Sequence, residues 1–215
     1  MIHIYYHIYA INGVESIIDE QLSLIKKHFD FPYTLNVGIS IAEDNDSIDY
    51  IINKFEKIRD VRSKGNEFVT LDLIEKDKEK FGDSDYILYI HTKGASRLKD
   101  DISNNMIAWR QYMNYFNIEK CKNVFKIFEK SQYNTYGCNF AKSDCENDAS
   151  HYSGNFWWAK SSYLKTINFT NMDKTDRYNA ELNFIQIGSD WKPYNVHNIN
   201  KNLHSYFIKK KDYVN

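Results

Sequence analysis

An α/β fold is predicted, with a mixed, mostly parallel central sheet flanked by helices in a single domain spanning residues 1–215. Three observations carry that prediction. Across the first ninety residues, β-branched and aromatic runs alternate with stretches of helical period. The run Tyr86-Ile-Leu-Tyr-Ile90 is unbroken and apolar, as a strand covered on both faces must be. Polar residues gather just past the strand ends, most densely at His91-Thr92-Lys93-Gly94. Open α/β sheets bind ligands beyond the carboxyl ends of their strands, so chemistry is expected at that edge.

The elements follow in order. Ile2 to Tyr9 reads as the first strand, and Val14 to His28 as a helix with Ile17, Ile18, Leu22 and Ile25 on one face. Tyr33 to Ile41 is the second strand, after the breaker Pro32. Acidic and amide residues around Asp46 cap a helix carrying Ile48, Ile51, Ile52 and Phe55. Ile58 to Arg62 is a short third strand. A third helix runs from about Glu67 to Phe81, and Tyr86 to His91 is the fourth strand. The alternation changes after Gly94, so residues 1–94 and 95–215 read as two halves of the one domain. In the second half, helices are expected over 100–116 and 118–130, and a strand from Tyr133 to Phe140. A polar loop from Ala141 to Tyr152 is long enough for a flap. Ser153 to Lys160 is a strand running into a short helix, Arg177 to Ile187 a helix, and Trp191 to His197 the last strand.

Composition excludes several classes of function. Lys+Arg of 28 against Asp+Glu of 29 gives a net charge of −1, so no global field favours nucleic acid or an anionic membrane. No run approaches the roughly 20 apolar residues that span a bilayer, so membrane insertion is not expected. Met1-Ile-His-Ile-Tyr5 reads as a strand and not as a signal peptide. Cys121, Cys138 and Cys145 are odd in number and lack CxxC spacing, which fits reduced thiols in the cytoplasm. The first turn offers Gly13 without GxGxxG, and no Walker sequence occurs.

Five motifs could carry chemistry. In His91-Thr92-Lys93-Gly94, Lys93 could pair with a phosphate and His91 could bind Mn²⁺ or the donor. Asp83-Ser-Asp85 matches a metal-binding DxD, but it precedes the strand and reads first as a turn. Gly65-Asn66-Glu67 starts a helix at a strand end, where exposed N–H groups favour anions or simply make a capped turn. Ser153-Gly154-Asn155-Phe-Trp157-Trp158 sends adjacent indoles to opposite faces. One could join the core while the other lines a cleft as a sugar platform, with Gly154 leaving room for a ligand. In Arg177-Tyr-Asn-Ala-Glu181, the spacing of four makes either an ion pair or a general base at Glu181. Asp190, His197 and His204 add polar groups near the sheet end.

Taken together, Gly65–Phe68 (GNEF), Tyr86–Gly94 (YILYIHTKG), Ser153–Lys160 (SGNFWWAK) and Arg177–Leu182 (RYNAEL) resemble glycosyltransferases of the Rossmann-like GT-A fold. The set looks especially like the small glycosyltransferase domains encoded by large algal (chlorella) viruses, and also like rhamnan-synthesis proteins. HTK stands where such enzymes usually carry an acidic pair. The resemblance implies an inverting transfer from a UDP-sugar to a glycan or glycoprotein, with a viral capsid protein as one such acceptor. It implies that Tyr6, His7, Tyr9 and Ala10 meet the nucleotide base, and that Arg62 and Gly65 to Glu67 meet the ribose and phosphates. His91, Thr92, Lys93 and Gly94 would complete the donor site, and Gly154, Asn155, Trp157, Trp158, Arg177 and Asp190 the acceptor shelf. Glu181 would be the base. Mn²⁺ or Mg²⁺ would sit on His91 and His197, or alternatively on Asp83 and Asp85. Two rivals remain: a non-catalytic sugar-binding domain, which would keep the tryptophan shelf, and a nucleotide-sugar hydrolase.

Overall fold

In the computed structural model, residues 1–43, 45–141, 150–168 and 172–214 are described. The chain is α/β, a single domain around a seven-stranded, mostly parallel sheet with helices on both faces. The first half runs β1 (Ile2–Ala10), α1 (Glu15–His28), β2 (Tyr33–Ile41), α2 (Ile48–Lys54), β3 (Ile58–Ser63), α3 (Phe68–Asp77) and β4 (Tyr86–His91). The second half runs α4 (Ser103–Asn114), α5 (Cys121–Lys130), β5 (Thr135–Gly137), β6 (Phe140–Ala141), β7 (His151–Tyr152), β8 (Trp157–Lys160), α6 (Ser161–Leu164) and β9 (Pro193–Asn195). The strand order is β3-β2-β1-β4-β8-β5-β9, and β6 pairs separately with β7.

β1, β2, β3 and β4 are mutually parallel, with Ile2 in register with both Tyr33 and Tyr86. From β1 the chain first builds outward to β2 and β3, then returns to place β4 on the other side. The switch point lies between β1 and β4, whose carboxyl ends are Ala10 and His91. That is where an open α/β sheet leaves a crevice. Beyond β4 the sheet turns mixed, because β8 is antiparallel to both β4 and β5.

The period of two divides the core. Leu88, Ile90, Tyr6 and Ile8 face the layer containing α1, α4 and α5, while Ile87, Tyr89 and Tyr5 face α3 and α6. Trp158 and Trp157 divide the same way, and both are 0% exposed. The expectation that one indole lines a cleft therefore fails. β8 is an interior strand with both faces covered, and the indole N–H groups donate to the Asn117 carbonyl at 2.9 Å and to Asn155 Oδ1 at 3.0 Å.

The second half differs most from the sequence pattern. The helix expected over 100–116 ends at Asn114 and passes into a π turn, Tyr115–Glu119, which leaves the Asn117 carbonyl for Trp158. The helix expected from Arg177 is mainly a π turn over Asn179–Asn183. The last strand keeps Pro193–Asn195, since the Trp191 indole donates to Thr135 Oγ1 and the His197 carbonyl accepts from Asn139 and Tyr112. Most of the expected flap, with Cys145, falls on 142–149, outside the described residues. Among the described residues, no helix is long and apolar enough to cross a membrane.

Candidate active site

A cleft of about 1110 Å³ opens at the β1/β4 switch point. That volume lies just above the roughly 300–1,000 Å³ usual for small-molecule sites. Its floor is the strand ends: His7 and Tyr9 from β1, Ser40 from β2, and His91 from β4. One wall is Gly65-Asn66-Glu67 ahead of α3, and another is Thr92 to Arg97 with Met106 and Trp109 of α4. Opposite stand Arg177, Tyr178, Glu181 and Leu182. The rim is Asn139, Phe140, Ala141, His151, Ser153 and the segment from Asn198 to His204.

Each floor residue has a local reason to be there. The Thr92 hydroxyl accepts from the Tyr9 amide at 2.9 Å, and the Thr92 amide donates to the His7 carbonyl at 3.0 Å, stitching the two strand ends together. Gly94 then takes φ +87°, a left-handed conformation that turns the chain into a short 3₁₀ helix, Ala95–Arg97. His7 is buried, its Nδ1 3.0 Å from Thr70 Oγ1 and its Nε2 3.2 Å from Ser40 Oγ. Burial, with His91 beside it, lowers its pKa to about 3, so this imidazole is neutral.

Among the described residues, two carboxylates face the cleft. Glu67 Oε2 accepts from the Tyr89 hydroxyl at 2.7 Å and from Asn155 Nδ2 at 2.6 Å, and Oε1 stands 3.9 Å from His91 Nδ1. Glu181 meets Lys93 Nζ at 3.4 Å. Burial pushes the Glu181 carboxyl up, but Lys93, His91 and Arg177 together more than offset this and hold it below the ordinary carboxylate range. It is therefore ionised at neutral pH and able to accept a proton. The Lys93 ammonium lies 4.2 Å over the Trp109 ring, a cation–π contact.

The structure thus gathers His7, Tyr9, Gly65, Asn66, Glu67, His91, Thr92, Lys93, Gly94, Arg177 and Glu181 on one cleft. Other expected site residues lie elsewhere. Tyr6 and Ala10 are buried on the α1 side, where the Tyr6 hydroxyl donates to Gln21 at 2.6 Å. Arg62 pairs with Asp60 and Asp72, away from the cleft. Gly154 leaves no room for a ligand: at φ +92° its missing side chain is replaced by Met113 and Trp109, and its carbonyl accepts from His91 Nε2 at 2.9 Å. Asn155, 2% exposed, ties Glu67 to the Ala180 carbonyl and does not face the cleft. Asp190 is exposed and pairs with Lys192.

The expected metal ligands do not converge. His197 stacks on Phe116, with Nδ1 3.1 Å from the Tyr112 hydroxyl, and is not part of the cleft lining. Asp83 and Asp85 precede β4, at the opposite sheet end from its exit. Asp83 pairs with Lys165, and Asp85 with the Met1 amine and His3. Among the described residues, no three His, Cys, Asp or Glu side chains gather as a metal site.

Sequence reasoning missed the support beneath the cleft. Arg110, whose side chain is 5% exposed, donates to the Lys93 carbonyl at 3.0 Å and to Glu20 at 2.8 Å. Asn114 donates to Glu20 at 2.8 Å, and Gln21 to Asn114 at 3.3 Å and to the His91 carbonyl at 3.1 Å. This buried network fixes the backbone of the HTKG turn from below. Its signal lay in polar residues at core-facing positions: Gln21 within the stripe of Ile17, Ile18 and Ile25, and Arg110 and Asn114 beside Met106 and Met113. Trp109, largely buried on α4, also lines the cleft.

No curated protein matches the chain. The model of a family described as a domain of unknown function, DUF8361, matches residues 4–201, and the chain belongs to that family.

Proposed function

We propose that this protein is a glycosyltransferase that moves a sugar from a UDP-sugar to a glycan or glycoprotein acceptor with inversion, acting in the cytoplasm. The observation that carries the reading is the meeting of the phosphate-competent turn at Lys93 with an ionised carboxylate, Glu181, across one cleft at the switch point of a parallel sheet. Glycosyl transfer needs those two things close together: a place for a departing diphosphate and a base for the incoming hydroxyl. In the reaction, an acceptor oxygen attacks the anomeric carbon, its proton passes to Glu181, and the bond to UDP breaks with the electron pair staying on the phosphate oxygen. The sugar-binding rival leaned on a tryptophan shelf, and both indoles are core residues.

The test has two steps. A thermal-shift panel of UDP, GDP and CMP should show UDP stabilising the fold most, since a ligand that binds only the folded state raises its stability. Glu181→Gln should then lower transfer by about 10²–10⁴-fold with UDP affinity unchanged. Equal response to every nucleotide, or near-normal turnover in the variant, would remove the reading. Free sugar released without any acceptor product would favour the hydrolase.

A further inference from the structure

We propose that the cleft holds the diphosphate of its ligand on side-chain cations centred on Lys93, without a divalent metal. The nature of the nucleotide rests on the reading above; the diphosphate site rests on the donor set. Among the described residues, most groups a metal would need are already committed, and Glu181 with Glu67 Oε1 do not by themselves make a ligand set. His91 Nε2 lies 2.9 Å from the Gly154 carbonyl, which can only accept, so this nitrogen carries a proton and has no lone pair to give. Its Nδ1 faces Glu67, and both ring nitrogens of His7 are engaged by hydroxyls. Glu67 Oε2 already receives Tyr89 and Asn155. Mg²⁺ and Mn²⁺ favour several unencumbered oxygen ligands in near-octahedral array. The described side chains of the cleft do not present one.

Cations are there instead. Among the described residues, Lys93, Arg97, Arg177 and Lys201 line the cleft against Glu67 and Glu181, a formal surplus of two positive charges in a chain whose net charge is −1. Lys93 is the one built into place. Its side chain is 11% exposed, its ammonium rests on Trp109, and its carbonyl is clamped by Arg110. An ammonium has three donors, and the Glu181 contact at 3.4 Å is longer than a full charge-assisted bond. Donors therefore remain for phosphate oxygens, and the low exposure of the Lys93 side chain strengthens the attraction relative to open water.

The experiment titrates inorganic pyrophosphate and UDP separately into the intact chain by calorimetry, in EDTA and again in Mn²⁺. Both should bind in EDTA, with no gain from Mn²⁺. Lys93→Met should weaken both by about 10- to 100-fold, the loss of one hydrogen bond to a charged group. Lys93→Arg, which keeps the charge, should retain most of the affinity and separates lost binding from lost folding. Binding that appears only with Mn²⁺, or unchanged pyrophosphate affinity in Lys93→Met, overturns the proposal and leaves the UDP-sugar reading standing. Pyrophosphate binding in EDTA with no response to UDP does the reverse. Failure of both ligands in both buffers removes both.

Discussion

Arg110→Met tests the clamp beneath the HTKG turn. The guanidinium is almost fully buried and bridges Glu20 and the Lys93 carbonyl. Removing one partner of a buried ion pair typically costs about 3–5 kcal/mol, because the other charge is left without compensation. The Glu20 side chain is 27% exposed, so water can recover part of that loss and about 3 kcal/mol is the better figure. In a domain of this size, about 1 kcal/mol moves Tm by roughly 2–4 °C, so the variant should melt roughly 6–12 °C lower. Adding Glu20→Leu removes the stranded charge and should restore part of the loss, a coupling that a double-mutant cycle reads directly. Circular dichroism melts and urea midpoints on the four proteins are the assay. UDP affinity should fall as well, since the Lys93 backbone loses its anchor. A melt within about 2 °C of wild type, or a double variant with no recovery, would show that the network does not hold the turn.

Two further variants probe the packing and the acid limit. Gly154→Ala puts a methyl against Met113 and 2.9 Å from Trp109 Nε1 at a left-handed φ, and should cost about 2–4 kcal/mol in urea unfolding. Full stability there would mean the space is open after all. His7 has a folded pKa of about 3, below its unfolded value, because burial and neighbouring His91 disfavour the cation. The stability it contributes is fully present above about pH 6.5 and is lost as pH falls from there toward 3. Between pH 7 and 4.5 the wild type should therefore lose roughly 2–3 kcal/mol more than His7→Gln. Equal losses in the two proteins would refute the assignment.

The first half, residues 1–94, was legible because each signal there is local. β2 and β4 have the expected bounds, Tyr33–Ile41 and Tyr86–His91, since apolar runs between breakers leave little choice of register. The second half depends on what covers what, and sequence spacing does not say. Alternation put Trp157 and Trp158 on opposite faces, as found, but it carried no information that helices close over both. Glu20 and Arg110 stand ninety positions apart, so their pairing has no local trace. On α1 the apolar stripe read from the sequence includes Leu22, which is only partly buried, whereas Gln21 is buried, drawn in by Tyr6, Asn114 and the His91 carbonyl.

The two outer strands bear on behaviour at high concentration. An open sheet offers unpaired backbone groups at each margin, which another copy could extend into a growing ribbon. Here β3 carries Arg59, Asp60 and Arg62 among its six residues, paired to Asp77, Asp72 and one another, and a register shift opposite Val37 and Gly38 skips Arg59. Charge and an irregular ladder both discourage a second strand from docking there. At the far margin β9 is three residues long and begins with Pro193, which has no N–H to offer. Such margins disfavour growth of the sheet from one copy to the next by edge-to-edge strand pairing.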